Sequence, residues 1–186
     1  MEDGRAAAVR MMHHRLVATG KSHEPLSSFR HHFDRLPRSY LHTRCVGSPE
    51  DVLLDQRLLA DAKAKKRLVA HARLVHRVQV HYDDDGGGDP PAAQPRLPEL
   101  RSSGSTMQDE IFIHEIIFAS YDKPKLLSKL SLLMYGVGFH VHEAHIFTTT
   151  DGFCLSIFNV DGWPQEDVKG MLEAIKHEMI RENMYI

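Results

Sequence analysis

Residues 114–164 read HEIIFASYDKPKLLSKLSLLMYGVGFHVHEAHIFTTTDGFCLSIFNVDGWP. The apolar, β-branched run over 111–120 that leads into this stretch predicts a strand. Asp122-Lys123-Pro124 then opens an amphipathic helix over 124–137, with Leu126, Leu127, Leu130, Leu133 and Met134 on its buried side. Strands over 139–149 and 152–160 follow, joined at Thr150-Asp151-Gly152, a good hairpin turn. A second helix is expected from Pro164 to about Glu182. Its residues Val168, Met171, Leu172, Ile175 and Met179 recur at helical spacing. The order β-α-β-β-α predicts an α+β fold, the core of a small ligand-sensing module and not of a catalytic domain. A ferredoxin-like βαββαβ sandwich needs one more strand, and the residues after 182 do not supply it.

Working upstream, residues 83–109 (DDDGGGDPPAAQPRLPELRSSGSTMQD) carry almost no bulky apolar side chains. Such a segment cannot bury enough surface to offset its chain entropy, so a disordered linker is predicted. Residues 1–82 form an N-terminal extension. A short helix over 9–20 stops at Gly20, and another over 27–36 carries Phe29, Phe33 and Leu36 before Pro37 ends it. Ser48-Pro49-Glu50-Asp51 reads as a helix start: Ser48 as the cap, Pro49 in the first turn, two acids at the positive end of the dipole. That helix is expected to reach about Lys66, with Val52, Leu53, Leu58 and Leu59 as its apolar stripe. RLVHRVQVHY at 73–82 reads as a strand. It is expected to pair with the strand at 111–120 and to fill the place of the missing last strand. The chain thus divides into a helical extension (1–82), a linker (83–109) and a sandwich (110–182).

Composition narrows the function classes. The chain has 186 residues, 42% hydrophobic and 26% charged, with a net charge of -2. These values suit a soluble chain of one or two small domains and show no polyanion-binding footprint, so no nucleic-acid partner is expected. Cys45 and Cys154 are the only cysteines and lie in different segments, which argues for a reducing compartment rather than a disulfide framework. No apolar run approaches the roughly 18–20 residues that span a bilayer, so no membrane partner is expected. The first twenty residues place acids at positions 2 and 3 and lack an apolar h-region, which argues against a signal peptide. Serine is scarce there too, so a transit peptide is weakly supported. A cytoplasmic location is expected.

Several residues invite a chemical reading. If Asp122 caps the helix at 124, its free N–H groups face the loop and offer a carboxylate site; the plainer reading is a simple helix start. Gly136 and Gly138 bracket Val137: one ends the helix, and the second lets a ligand or partner backbone come close. His140, His142, Glu143 and His145 suggest a metal, but on a strand His140 and His142 point one way while Glu143 and His145 point the other. A hydrogen-bonded Glu143/His145 pair is expected instead, with no metal and no cofactor. His13-His14 and His31-His32 read as solvated. Cys154 sits mid-strand with no base in reach and reads as a structural thiol. Lys63, Lys65, Lys66 and Arg67 read as a solvated helix end.

Larger matches now become visible: HEI-x-F at 114–118, DKPKLLSKL at 122–130, G-x-x-VHEAH around 138–145, DGF at 151–153 and VDGWP at 160–164. Upstream stand FRHHFDRLP at 29–37, Tyr40, EDVL at 50–53, RLL at 57–59 and RLVHRVQVH at 73–81. Together these resemble the ACT domain, and more closely the ACT-bearing N-terminal regulatory region of plant Raf-like serine/threonine/tyrosine protein kinases. The resemblance covers most of the chain apart from the termini and linker.

It implies a regulatory, non-catalytic module that senses a small ligand such as an amino acid or docks a protein partner or kinase domain. Pairing into a homodimer is implied through sheet edges or helices. The ligand would lie near Asp122, Lys123, Pro124, Lys125, Gly136 and Gly138 at a dimer interface. Two features depart from the pattern. ACT domains of amino-acid enzymes often place glycine directly after Asp-x-Pro, where Lys125 stands here. The sequence also has no Gly-rich loop over ATP, no Val-Ala-Ile-Lys strand, no His-Arg-Asp loop and no Asp-Phe-Gly. Protein phosphorylation therefore does not reside in this stretch. The alternative is a piece of an active kinase whose catalytic domain lies downstream of Ile186.

Overall fold

The structure is a computed structural model and describes residues 4–45, 48–80, 109–163 and 166–184. Among these, six helices and four strands follow in the order α1 (Gly4–Ala18), α2 (Leu26–Asp34), α3 (Arg38–Cys45), α4 (Pro49–Lys65), β1 (Val69–Val80), β2 (Asp109–Tyr121), α5 (Leu126–Val137), β3 (His140–Thr148), β4 (Phe153–Asp161) and α6 (Val168–Arg181). The fold is α+β.

The strands form one antiparallel sheet in the order β1-β2-β4-β3. The upstream strand β1 pairs along β2, from Val69 opposite Ala119 to Val80 opposite Asp109, with a register shift between Leu74 and His76. It occupies the edge position that a last strand would take, as the sequence predicts. This order, with α5 and α6 on one face, is compatible with a ferredoxin-like, ACT-type sandwich.

Both faces of the sheet are covered at its central strands β2 and β4, while β3 is largely exposed. Ile116, Phe118, Phe158 and Val160 pack with Leu130, Leu133 and Met134 of α5 and Met171, Ile175 and Met179 of α6. Ile117, Ala119, Phe153, Leu155 and Ile157 pack instead with Leu16, Phe29, Phe33, Tyr40, Val52 and Leu59 of the N-terminal helices. Successive side chains of a strand point to opposite faces. That alternation is why IIFA in β2 and the long apolar run of β4 divide between two cores, each strand buried on both sides.

Several boundaries differ from the sequence reading. The helix Arg38–Cys45 has no counterpart among the elements the sequence predicts. The first helix starts at Gly4, β1 starts at Val69, and the last helix starts at Val168. There Asp167 caps α6, its Oδ1 accepting from the Gly170 N–H at 3.0 Å. Ser48 sits at the α4 N-cap position in extended conformation but makes no side-chain cap bond. The predicted linker, apart from Asp109 in β2, and the end of the 73–82 strand at 81–82 lie outside the described residues.

Candidate functional site

The loop from β2 to α5 carries four of the residues singled out by sequence. Asp122 does not cap α5. The N-cap position falls on Lys125, in the left-handed conformation at φ 65°, with no side-chain cap bond. Asp122 instead accepts from Thr148 Oγ1 at 3.3 Å, and its backbone N–H donates to Gly152 O at 2.9 Å. The loop is thereby tied to the β3–β4 turn. Lys125 thus adopts a backbone that glycine takes at no steric cost. Asp122, Lys123, Lys125, Leu126 and Leu127 line a small cleft of about 190 Å³ with Ile146, Cys154 and Ser156.

Gly138 ends α5 at φ 91°. Its N–H donates to Tyr135 O and that of Phe139 to Met134 O, each at 3.0 Å, which closes a Schellman motif. Gly136 lies inside α5 and packs against α6. A Cβ built there would stand 1.9 Å from Glu178 Oε1. The close approach at Gly136 is therefore made by a side chain of the same molecule. Gly136 and Gly138 do not line the small cleft.

The motif residues of β3, β4 and the turns beside them have structural work. Asp161 accepts from both His140 Nδ1 (2.8 Å) and His142 Nε2 (2.7 Å). Burial opposes the charge on Asp161, but the two imidazoles outweigh it and hold its pKa below the usual carboxylate value. Glu143 bonds His145 Nε2 at 2.7 Å and Asn159 Nδ2 at 3.2 Å, so the Glu143/His145 pair forms as expected. Among the described residues no group of three or more His, Cys, Asp or Glu is placed to hold a metal. Gly162, at φ 92°, comes so close to the turn after α5 that a Cβ would meet Gly138 O at 2.6 Å. Asp151 in the β3–β4 turn pairs with Arg35 at 3.1 Å and Lys63 at 3.5 Å, and the Thr150 N–H donates to Arg35 O. The DGF turn is thus pinned to the N-terminal helices.

A buried polar network joins those helices to the sheet, and sequence reasoning missed it. Arg44 of α3 grips Asp55 of α4 with Nε to Oδ2 and Nη2 to Oδ1, both 2.8 Å. The same guanidinium donates to Glu115 Oε2 of β2 at 3.1 Å. Arg73 of β1 pairs with Asp51 at 2.6 Å and Glu115 at 2.8 Å. Tyr40 donates to Asp55 Oδ2 at 2.8 Å, and His32 Nε2 lies 3.0 Å from the Tyr40 hydroxyl. Burial opposes the charge on Arg44, yet Asp55 and Glu115 hold it cationic and raise its pKa. The sequence predicts a solvated His32, but it is 2% exposed. Burial, then the charges of Arg35 and His31, lower its pKa to about 3, so it is neutral at neutral pH. Cys154 is also buried, and burial pushes its thiol up, away from nucleophilic use.

This geometry describes an α+β module with a core on each side of its central strands and a small cleft at the β2–α5 loop, and the known proteins similar to it are protein kinases. The chain is 35% identical over 179 residues to serine/threonine-protein kinase STY46 of Arabidopsis thaliana, covering 79% of this chain and 31% of that protein. It is 33% identical over 183 residues to serine/threonine-protein kinase STY17 of the same plant, covering 80% of this chain and 32% of that protein. The chain therefore spans about a third of the length of the curated relatives it matches. No family model matches the chain, and no solved structure does. Among the described residues no helix is long and apolar enough to cross a membrane.

Proposed function

We propose that this chain is a non-catalytic, ACT-like regulatory module associated with a serine/threonine/tyrosine protein kinase, acting by small-ligand sensing, protein docking or both. The observation that carries this reading is the similarity to two protein kinases over about a third of their length, in a chain without the motifs of a kinase active site. The cleft at Asp122, Lys123 and Lys125 supports a small-ligand role, with an amino acid as the ligand class. Pro124 belongs to the same loop, whereas Gly136 and Gly138 stand at the far end of α5 and fall outside this ligand region. Pairing into a homodimer is favoured at β3, an edge strand whose Val141 and Ile146 are 46% and 40% exposed. A cytoplasmic site of action accords with this role.

The share of the relatives covered favours a second reading, in which this module is the regulatory part of a longer kinase polypeptide. A reading frame carrying a Gly-rich loop beyond Ile186 distinguishes it from a stand-alone regulator.

Thermal-shift measurements against the proteinogenic amino acids and against MgATP test the primary reading. A saturable shift with at least one amino acid and none with MgATP is the expected result. A shift with no amino acid leaves docking as the role, and phosphate transfer from MgATP by the chain itself contradicts the reading.

A further inference from the structure

Towards the β1 edge of the sheet lies a second cleft, of about 220 Å³, lined by the residues after α4, the end of β2, the β2–α5 loop, α5 and the residues after α6. We propose that it binds a small organic dianion: a phosphate monoester or dicarboxylate on a body about the size of one ring.

The lining places Lys66, Arg67, Lys123 and Lys129 together, with no carboxylate among them. This runs against the chain as a whole, which is net acidic. Nearby cations of α4 have acid partners: Lys63 shares Asp151 with Arg35, and Lys65 pairs with Asp61. Lys66, Arg67 and Lys129 make no ion pair among the described residues. Gathering like charges is unfavourable, and a bound anion removes that cost. One guanidinium offers a two-pronged grip on a phosphate or carboxylate, and the ammonium groups supply point charges around it.

The floor is apolar. Leu68 and Met184 are 6% and 7% exposed, with Leu126 and Pro124 beside them, and Tyr121 is half-exposed with its ring 4.3 Å from that of Phe153. An anionic head with an aromatic or aliphatic body matches this combination better than bare phosphate. The volume falls below the roughly 300–1,000 Å³ of drug-sized pockets and suits a one-ring body better than a nucleoside triphosphate.

The walls are held by the backbone. The Leu126 N–H donates to Lys123 O, and Asn183 and Met184 close a Schellman motif on Ile180 and Met179. Among the described residues, the non-glycine residues with positive φ are Lys66, Lys125 and Asn183. Two of them line the cleft and the third flanks it. The inference does not depend on the kinase-linked reading, and this cleft shares only Lys123 and Leu126 with the one at Ile146 and Cys154.

Calorimetric titration of the full chain with phenyl phosphate tests it, with phenol as the uncharged control. Arg67 and Lys129 are exposed, so Arg67→Ala combined with Lys129→Ala leaves the packing intact. Saturable binding of phenyl phosphate that weakens by about ten-fold or more in the double variant is the expected result. Binding is also expected to be unchanged by Lys169→Ala on α6 and absent for phenol. Equal binding by the double variant and the parent chain overturns the proposal. So does binding to phosphatidylcholine vesicles containing phosphatidic acid without binding of phenyl phosphate, which assigns the cations to a lipid surface.

Discussion

Gly136 is governed by one carboxylate. A methyl group there meets the side chain of Glu178, which is 7% exposed and already bonded to Arg181. Alanine otherwise gains about 1 kcal/mol over glycine in a helix interior. Gly136→Ala is therefore expected to destabilise the chain in urea titrations, and to become stabilising by about 1 kcal/mol once Glu178→Ala removes the obstacle. His32 carries a pH signature. Its folded pKa, about 3, lies below its unfolded value near 6.5, so its contribution is complete above pH 6.5 and is lost as pH falls towards 3. Between pH 7 and pH 5 the loss amounts to about 2 kcal/mol. The carboxyls of Asp51, Asp151 and Asp161 are held below their usual value and stay charged in this window, while His71, lowered by burial, adds to the slope with the same sign. His32→Gln keeps a polar group against Tyr40 and is expected to flatten the slope. An unchanged slope contradicts the assignment. Neither feature is legible locally. Gly138 announces a helix end by its position, but what approaches Gly136 comes from a helix far along the chain. His31-His32 looks polar on both residues until packing turns one of them inward.

At the scale of elements, α3 is the one that periodicity does not reveal. RSYLHTRC has a short apolar content, and its value lies in placing Tyr40 and Arg44 four residues apart, both turned towards Asp55. β1 and the sandwich strands were legible because β-branched runs and the Asp-Gly turn are local signals. A helix whose purpose is to deliver one arginine to a buried carboxylate has no such signal. Arg44→Met leaves Asp55 and Glu115 buried without their shared partner, and removing one member of such a network costs about 3–5 kcal/mol. Thermal denaturation is expected to show that loss, with Arg44→Lys in between because lysine keeps the charge but not the two-pronged grip. Equal stability of Arg44→Met and the parent chain contradicts a structural role for the network.

At the scale of the molecule, the N-terminal helices, the sheet and the pair α5–α6 form three layers around two cores. The sandwich itself could be read from residues 110–182, and the pairing of β1 with β2 from the missing strand. The covering of the second sheet face could not, because each amphipathic helix shows that it buries a stripe without showing against what. Similarity to the Arabidopsis kinases extends over most of the chain, so the helical layer belongs to the same unit of comparison as the sandwich. The proposed role is most directly tested on those kinases. Serine/threonine-protein kinase STY46 from which the segment matching this chain has been deleted can be assayed for phosphate transfer while the purified chain is added back. A saturable change in rate, accompanied by a complex between the two proteins, is the expected result. Rates that stay identical at every concentration, with no complex formed, contradict a regulatory role for this module.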